Sequence, residues 1–196
     1  GSIDVFQNDP SIIFVGTGSD GIRSNVIVGK GIYKSKDSGT SWEFMGLKHA
    51  GQIGSIKIHP QNSEIVYTGA IGQPFSPNKE RGLFKTIDGG KTWKKILYIS
   101  DKIGIVDIEF SPENPDIIYA ASWEVNRKPW SIISGSKDGG IYKSMDAGKN
   151  WIKLSKGLPK GNIGKIDLAV SSADPKRLYA LIEADQGQGG VYVSYD

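Results

Sequence analysis

One octapeptide recurs three times in the 196 residues, and its spacing limits the possible folds more than any bulk property. The copies are Ser35-Lys-Asp37-Ser-Gly39-Thr-Ser-Trp42, Thr86-Ile-Asp88-Gly-Gly90-Lys-Thr-Trp93 and Ser144-Met-Asp146-Ala-Gly148-Lys-Asn-Trp151, and a fourth opens at Ser194-Tyr195-Asp196. The aspartates lie roughly 50 to 60 residues apart, the length of a unit of four short strands and far from helical-repeat periods near 34. A second motif precedes each copy and repeats with the same period: Ile53-Gly-Ser-Ile, Ile103-Gly-Ile-Val and Ile163-Gly-Lys-Ile, with Ser2-Ile-Asp-Val in the same register. A polar turn follows, then an apolar segment: Ile12-Ile-Phe-Val-Gly, Ile65-Val-Tyr-Thr-Gly, Ile117-Ile-Tyr-Ala-Ala and Leu178-Tyr-Ala-Leu.

Each unit therefore reads as four strands, such as Ser55–His59, Ile65–Ala70, Gly82–Thr86 and Thr92–Tyr98, rich in Ile, Val, Tyr and Trp and separated by Gly, Asn, Pro and Asp turns. The 26 glycines and 10% aromatic residues fit strands and tight turns better than long helices. Consecutive hairpins make each unit an antiparallel meander that cannot bury both faces alone, so neighbours must stack. Radial stacking of twisted four-stranded sheets gives a propeller. The expected fold is all-β: a β-propeller fragment of four-stranded antiparallel blades, three complete plus a partial fourth. The approximate blades are 1–47, 52–99, 103–156 and 163–196. An incomplete ring, completed by remaining blades of the same propeller, is the expectation.

The octapeptide pattern S/T-x-D-x-G-x-x-W resembles the Asp box, or BNR repeat, of sialidases, xyloglucanases and the sortilin-type receptor propeller. The longer context, with Val15-Gly-Thr-Gly, Gly31-Ile-Tyr-Lys-Ser and Glu80-Arg-Gly-Leu-Phe-Lys-Thr, resembles large bacterial BNR proteins described as sortilin-like or glycosyl hydrolases. The resemblance implies that the motif turns the chain between the third and fourth strands. The residue types suit that place: the Ser/Thr hydroxyl and the Asp carboxylate accept backbone N–H bonds, the fifth-position glycine permits positive φ, and the Trp anchors the turn between blades. Ser35, Asp37, Gly39, Trp42, Thr86, Asp88, Gly90, Trp93, Ser144, Asp146, Gly148 and Trp151 are thus structural.

Several patterns mimic other chemistry. Gly16-Thr-Gly18-Ser-Asp-Gly21 has the spacing of a dinucleotide-binding loop but leads into no helical pattern, and Gly89-Gly-Lys-Thr92 lacks the first glycine of a phosphate loop, since Lys85 stands there. His49 and His59 have no second His or Cys at ligand spacing and read as loop residues. A Ca²⁺ loop needs alternating oxygen ligands, which Asp88-Gly-Gly-Lys does not supply. No metal site and no cofactor are expected. The net charge of +3 is mild and scattered, which points away from nucleic acid, and no segment approaches a membrane span. The absence of cysteine leaves the redox compartment open.

If the boxes hold one rim, the loops between second and third strands meet on the other. They diverge most in length, over 17–30, 71–81, 122–140 and 184–189, as expected where function is grafted onto a scaffold. Arg81, Trp123, Arg127 and Trp130 are the candidate ligand-binding residues, because aromatic faces beside guanidinium groups suit a glycan and equally a protein ligand. The leading expectation is a binding module of a larger protein, extracellular or periplasmic. The alternative is a xyloglucanase-like glycoside hydrolase with Asp20 and Glu124 as candidate catalytic carboxylates and partners outside this segment. The arginine triad implied by a resemblance to sialidases is not apparent.

Overall fold

The computed structural model describes residues 1–23 and 25–195. Asp196, the third residue of the fourth motif copy, lies outside the described residues. The chain forms sixteen strands: β1 (Ser2–Val5), β2 (Ile13–Gly16), β3 (Ile32–Ser35), β4 (Glu43–Phe44), β5 (Gln52–His59), β6 (Asn62–Gly72), β7 (Gly82–Thr86), β8 (Lys94–Leu97), β9 (Ile103–Phe110), β10 (Ile118–Lys128), β11 (Ser131–Ser134), β12 (Gly140–Ser144), β13 (Ile152–Lys153), β14 (Ile163–Val170), β15 (Leu178–Ala184) and β16 (Gly190–Ser194). No helix occurs among the described residues.

Two sheets are plain meanders, β1-β2-β3-β4 and β5-β6-β7-β8. The third has β10 at its centre, flanked by β9 and by β12-β13, with β11 added on the distal half of β10. The fourth contains β14-β15-β16. Every named pairing is antiparallel, and each sheet is a propeller blade. The innermost strands β1, β5, β9 and β14 run beside one another in that order. The recurring Ile-Gly explains their approach. A Cβ on Gly104 would stand 2.5 Å from Ile71 Cα, and one on Gly54 would stand 2.6 Å from the Val106 carbonyl oxygen. Only glycine lets the backbone of one blade lie against the next.

The apolar residues of adjoining faces fill three cores. Phe14, Ile32, Ile53 and Val66 lie between the first two blades. Tyr67, Leu83, Ile105 and Ile118 lie between the second and third, and Tyr119, Trp123, Ile163 and Leu168 between the third and fourth. Burial at about 25 cal/mol per Å² of apolar surface makes these faces the main source of stability.

The octapeptides turn the chain from β3 to β4, β7 to β8 and β12 to β13. In the second copy the Thr86 hydroxyl accepts from Gly90 N at 3.0 Å and donates to Asp88 Oδ1 at 2.7 Å, while Asp88 Oδ1 accepts from Thr92 N at 2.9 Å. The other copies reproduce this with Ser35 and Asp37, and with Ser144 and Asp146. Two successive residues take positive φ in each turn: Ser38 and Gly39, Gly89 and Gly90, Ala147 and Gly148. The seventh position adds a donor not anticipated from the sequence: Ser41 Oγ, Thr92 Oγ1 and Asn150 Nδ2 each reach the second carboxylate oxygen. These bonds pull Asp37, Asp88 and Asp146 down to about 2. A depressed carboxylate stabilises the fold above its unfolded pKa near 3.8, and that contribution disappears as pH falls toward 2. Replacing all three by Asn should therefore flatten the decline in urea midpoint between pH 4 and pH 2; an unchanged decline would remove the boxes as its source.

The tryptophans behave less uniformly than expected. Trp93 Nε1 reaches the Met45 carbonyl of the preceding blade at 2.6 Å, but Trp42 and Trp151 fold back on Gly39 and Gly148 of their own turns. Trp151 still packs on the second-blade core, whereas Trp42 remains 42% exposed.

A lysine supplies the other inter-blade tie. Lys34, Lys85 and Lys143 lie 5.0, 4.9 and 5.3 Å from the ring centroids of Phe14, Tyr67 and Tyr119, their cross-strand partners. Lys34 then pairs with Glu64 of the second blade at 3.3 Å, and Lys85 donates to the Ala147 carbonyl in the third blade's box at 3.0 Å.

Candidate functional site

The rim opposite the boxes is organised by β10 and β11. The stretch 122–140, expected as a loop, is instead a hairpin whose strands pair from Val125↔Ser134 to Lys128↔Ser131 and reverse at Pro129-Trp130. The cause is a period-two pattern, with Trp123 and Val125 buried and Glu124 and Asn126 less so. The hairpin touches every other blade. Arg127 N donates to the Pro74 carbonyl at 2.7 Å, Arg127 Nε to the Arg23 carbonyl at 3.2 Å, and Ser136 exchanges backbone bonds with Ile163.

This placement revises the expected binding residues. Trp123 is 4% exposed and packs in the core between the third and fourth blades, so it cannot present its ring to a ligand. Its Nε1 donates to Ser134 Oγ at 2.9 Å, and that hydroxyl donates to Glu183 Oε2 at 2.7 Å, which also accepts from Lys165 N. Its burial follows from its place within β10 and not in a loop. Arg81 is also buried, at 1% exposure, with Nη2 bound to the carbonyls of Gln73 and Val125. Burial lowers it to about 10 despite the fields of Glu124 and Asp101. Arg127 uses Nη1 on the carbonyls of Lys128 and Ser131, closing the hairpin turn. Trp130 is the expected site residue that stands free, 80% exposed at the tip of the hairpin. Phe75, Ile132 and Ile133 are exposed on the second-blade loop and on β11.

The candidate carboxylates have separate surroundings. Asp20 Oδ1 accepts from the Gly1 ammonium at 3.4 Å. Burial acts to raise Asp20, while that ammonium, a backbone hydrogen bond and the charge of Lys165 act to lower it. Glu124 lies on β10 opposite Ile103 and lines a small cavity with Arg81. No described contact is common to the two. Among the described residues no cluster of three metal-binding side chains exists, and the box carboxylates are occupied by donors of their own turns. His59 proves to be the last residue of β5, not a loop residue.

A larger cavity, about 580 Å³, lies elsewhere, between the third and fourth blades beside Lys143, Leu154, Tyr192 and Tyr195. Its counterparts between earlier blades are filled. Met45 packs on Gly90 of the second box, and Ile96 on Gly148 of the third. Leu154 is the equivalent residue three positions after its box Trp, so this space is an inter-blade slot of the same kind.

The family profile described as Sortilin, neurotensin receptor 3 (Sortilin-Vps10) matches residues 30–194, most of the chain. The chain belongs to the Sortilin-Vps10 family. Similar curated proteins are a probable oligoxyloglucan-reducing end-specific xyloglucanase of Neosartorya fischeri, 23% identical over 99% of this chain and 22% of that protein, and a xyloglucanase of Hypocrea jecorina, 27% identical over 61% of this chain and 16% of that protein. The Sortilin-Vps10 segment thus spans about a fifth of the length of those relatives. Among solved structures, a GH74 enzyme of Niastella koreensis matches with TM-score 0.70 at 20% identity, covering 99% of this chain and 27% of the other. The GH74 xyloglucanase of Xanthomonas campestris gives 0.69 at 16%, covering 99% and 28%. At such identities the likeness is one of fold, and it agrees with blades belonging to a larger propeller.

Proposed function

We propose that this Sortilin-Vps10 segment is a ligand-recognition module that binds a glycan on the rim opposite its Asp boxes, outside the cytoplasm. The observation that carries this reading is Trp130, 80% exposed on a turn braced by Arg127 against backbone carbonyls. A large apolar ring held on a hydrogen-bonded hairpin turn can stack on the apolar face of a sugar. The similarity to proteins named as xyloglucanases makes xyloglucan oligosaccharides the first ligands to try.

Trp130→Ala should weaken oligosaccharide binding at least about tenfold, as for an aromatic hot spot, while the thermal midpoint stays within a degree, measured by calorimetric titration and scanning calorimetry. Equal affinity in the variant would reject the reading. Binding of peptides instead of sugars would move the ligand to a protein. The whole-chain similarity to xyloglucanases also supports the hydrolase alternative. That reading requires hydrolysis by the longer protein to fall with Asp20→Asn or Glu124→Gln, and unchanged rates would dismiss both residues.

A further inference from the structure

Arg127 joins segments of three blades. Its backbone N–H donates to the Pro74 carbonyl of the second-blade loop at 2.7 Å and its Nε to the Arg23 carbonyl of the first-blade loop at 3.2 Å. Its Nη1 donates to the Lys128 and Ser131 carbonyls of its own hairpin turn at 2.7 and 2.8 Å. The bond to Arg23 links blades that are not neighbours, because β5 lies between β1 and β9. The first-blade loop reaches that point because Ile22 is buried, and Val26 packed, in the core that holds Trp123 and Val125. Two further bonds close this loop: Ser19 N donates to the Ile27 carbonyl at 3.1 Å, and Ile27 N to Ser19 Oγ at 3.0 Å. Each of the three segments carries an exposed apolar group: Ile27 at 72%, Phe75 at 53% and Trp130 at 80%.

We propose that Arg127 is a positioning residue that fixes the first-blade loop and the hairpin tip in one arrangement, so that this rim binds a chain of several sugar units in preference to a single sugar. The inference rests on the glycan reading of Trp130 and deepens it. Holding three carbonyls from two segments at once requires the planar fork of a guanidinium, whose N–H groups point in set directions; an ammonium on a flexible stem offers one point of charge. Groups on separate loops act on one ligand together when their spacing is held beforehand, since the ligand then does not have to order them. A chain long enough to touch two loops gains from that, as any ligand with two linked contacts does. A single sugar on Trp130 gains nothing from it.

Arg127→Lys and Arg127→Met, each checked for an unchanged thermal midpoint, are compared with the parent in two measurements. Amide hydrogen exchange at Ser19 and Ile27, far from the substitution in sequence, should quicken about tenfold in both variants, the scale of one lost hydrogen bond from a charged group. Exchange within β5–β7 should stay as it is. Titrations followed on the Trp130 indole N–H should show xyloglucan oligosaccharides binding about tenfold more weakly in both variants, with the affinity for glucose held within about twofold. The proposal is overturned by unchanged exchange at Ser19 and Ile27, by full recovery in Arg127→Lys, by equal losses for glucose and oligosaccharide, or by a parent that prefers glucose. A parent that binds no sugar rejects the glycan reading of the rim and the preference for chains with it, whereas the exchange measurement decides the bracing by Arg127 on its own.

Discussion

Trp123→Ala should destabilise the chain by about 3–5 kcal/mol, the range for deleting a large aromatic from a packed core. The ring is 4% exposed and lies where the third blade meets the fourth, so its loss leaves a cavity between two sheets. A second cost accompanies the first. Its Nε1 feeds Ser134, whose hydroxyl feeds Glu183, and Glu183 also accepts Lys165 N; removing the first donor loosens a chain that joins β11 to the fourth blade. Urea denaturation followed by near-ultraviolet circular dichroism would measure the change. A Trp123→Phe variant should recover most of the packing but not the hydrogen bond, with a residual loss of about 1–2 kcal/mol. A loss below about 1 kcal/mol in the alanine variant would show that Trp123 is a surface ligand platform after all.

Lys57→Met should cost about 2 kcal/mol at neutral pH, less than the 3–5 typical of a fully buried pair because Lys57 keeps 31% exposure. Lys57 lies on the innermost strand of the second blade and bonds Glu109 at 2.9 Å, and its charge also favours the ionised forms of Asp4 and Asp107. Those two aspartates tie blades together: Asp4 Oδ2 accepts Ile58 N at 2.6 Å, and Asp107 Oδ2 accepts Leu168 N at 2.8 Å. Burial raises Asp4, Asp107 and Glu109 above their ordinary values in spite of Lys57. A raised carboxylate is protonated more readily in the fold than in the unfolded chain, so stability falls as pH rises from the unfolded pKa through the folded one. Removing Lys57 pushes the three further upward. The deficit of Lys57→Met should therefore be largest at pH 7 and shrink toward pH 4, opposite in sign to the pH dependence of the boxes. A deficit independent of pH would mean that Lys57 acts only through its aliphatic stem.

The blades were legible because two motifs repeat together. β7 spans Gly82–Thr86 as the spacing indicates, and the box turns follow from Ser/Thr, Asp and Gly at fixed positions, each with one conformational role. The glycine after each inner-strand isoleucine was visible as a repeat, but its reason, the backbone of the next blade, requires knowing what lies beside it. The same holds for Lys34, Lys85 and Lys143. Each follows an aromatic in its own strand, yet the ring it covers belongs to the strand alongside, and the groups that Lys34 and Lys85 reach, the Glu64 carboxylate and the Ala147 carbonyl, belong to the next blade.

The site was less legible. Tryptophans at 123 and 130 look alike in a sequence, and only the alternation around Ser122–Asn126 shows that one points into the core while the other caps a hairpin. The charge of Arg81 is visible in the sequence, but its burial depends on Gln73 of the second blade and Val125 of the third. The role of Lys57 is not visible in the sequence because the carboxylates it serves are about 50 residues away on either side, one blade length in each direction.

The central claim is a division of labour: Asp boxes hold the blades on one rim, and the opposite rim binds. A glycan array probed in parallel with the parent chain, Trp130→Ala and Asp88→Asn tests it most directly, with circular dichroism used to select a temperature at which all three are folded. The account predicts that Asp88→Asn melts earlier yet binds the same glycans as the parent, while Trp130→Ala melts with the parent and loses them. Folded Asp88→Asn without binding, alongside Trp130→Ala with full binding, would contradict it.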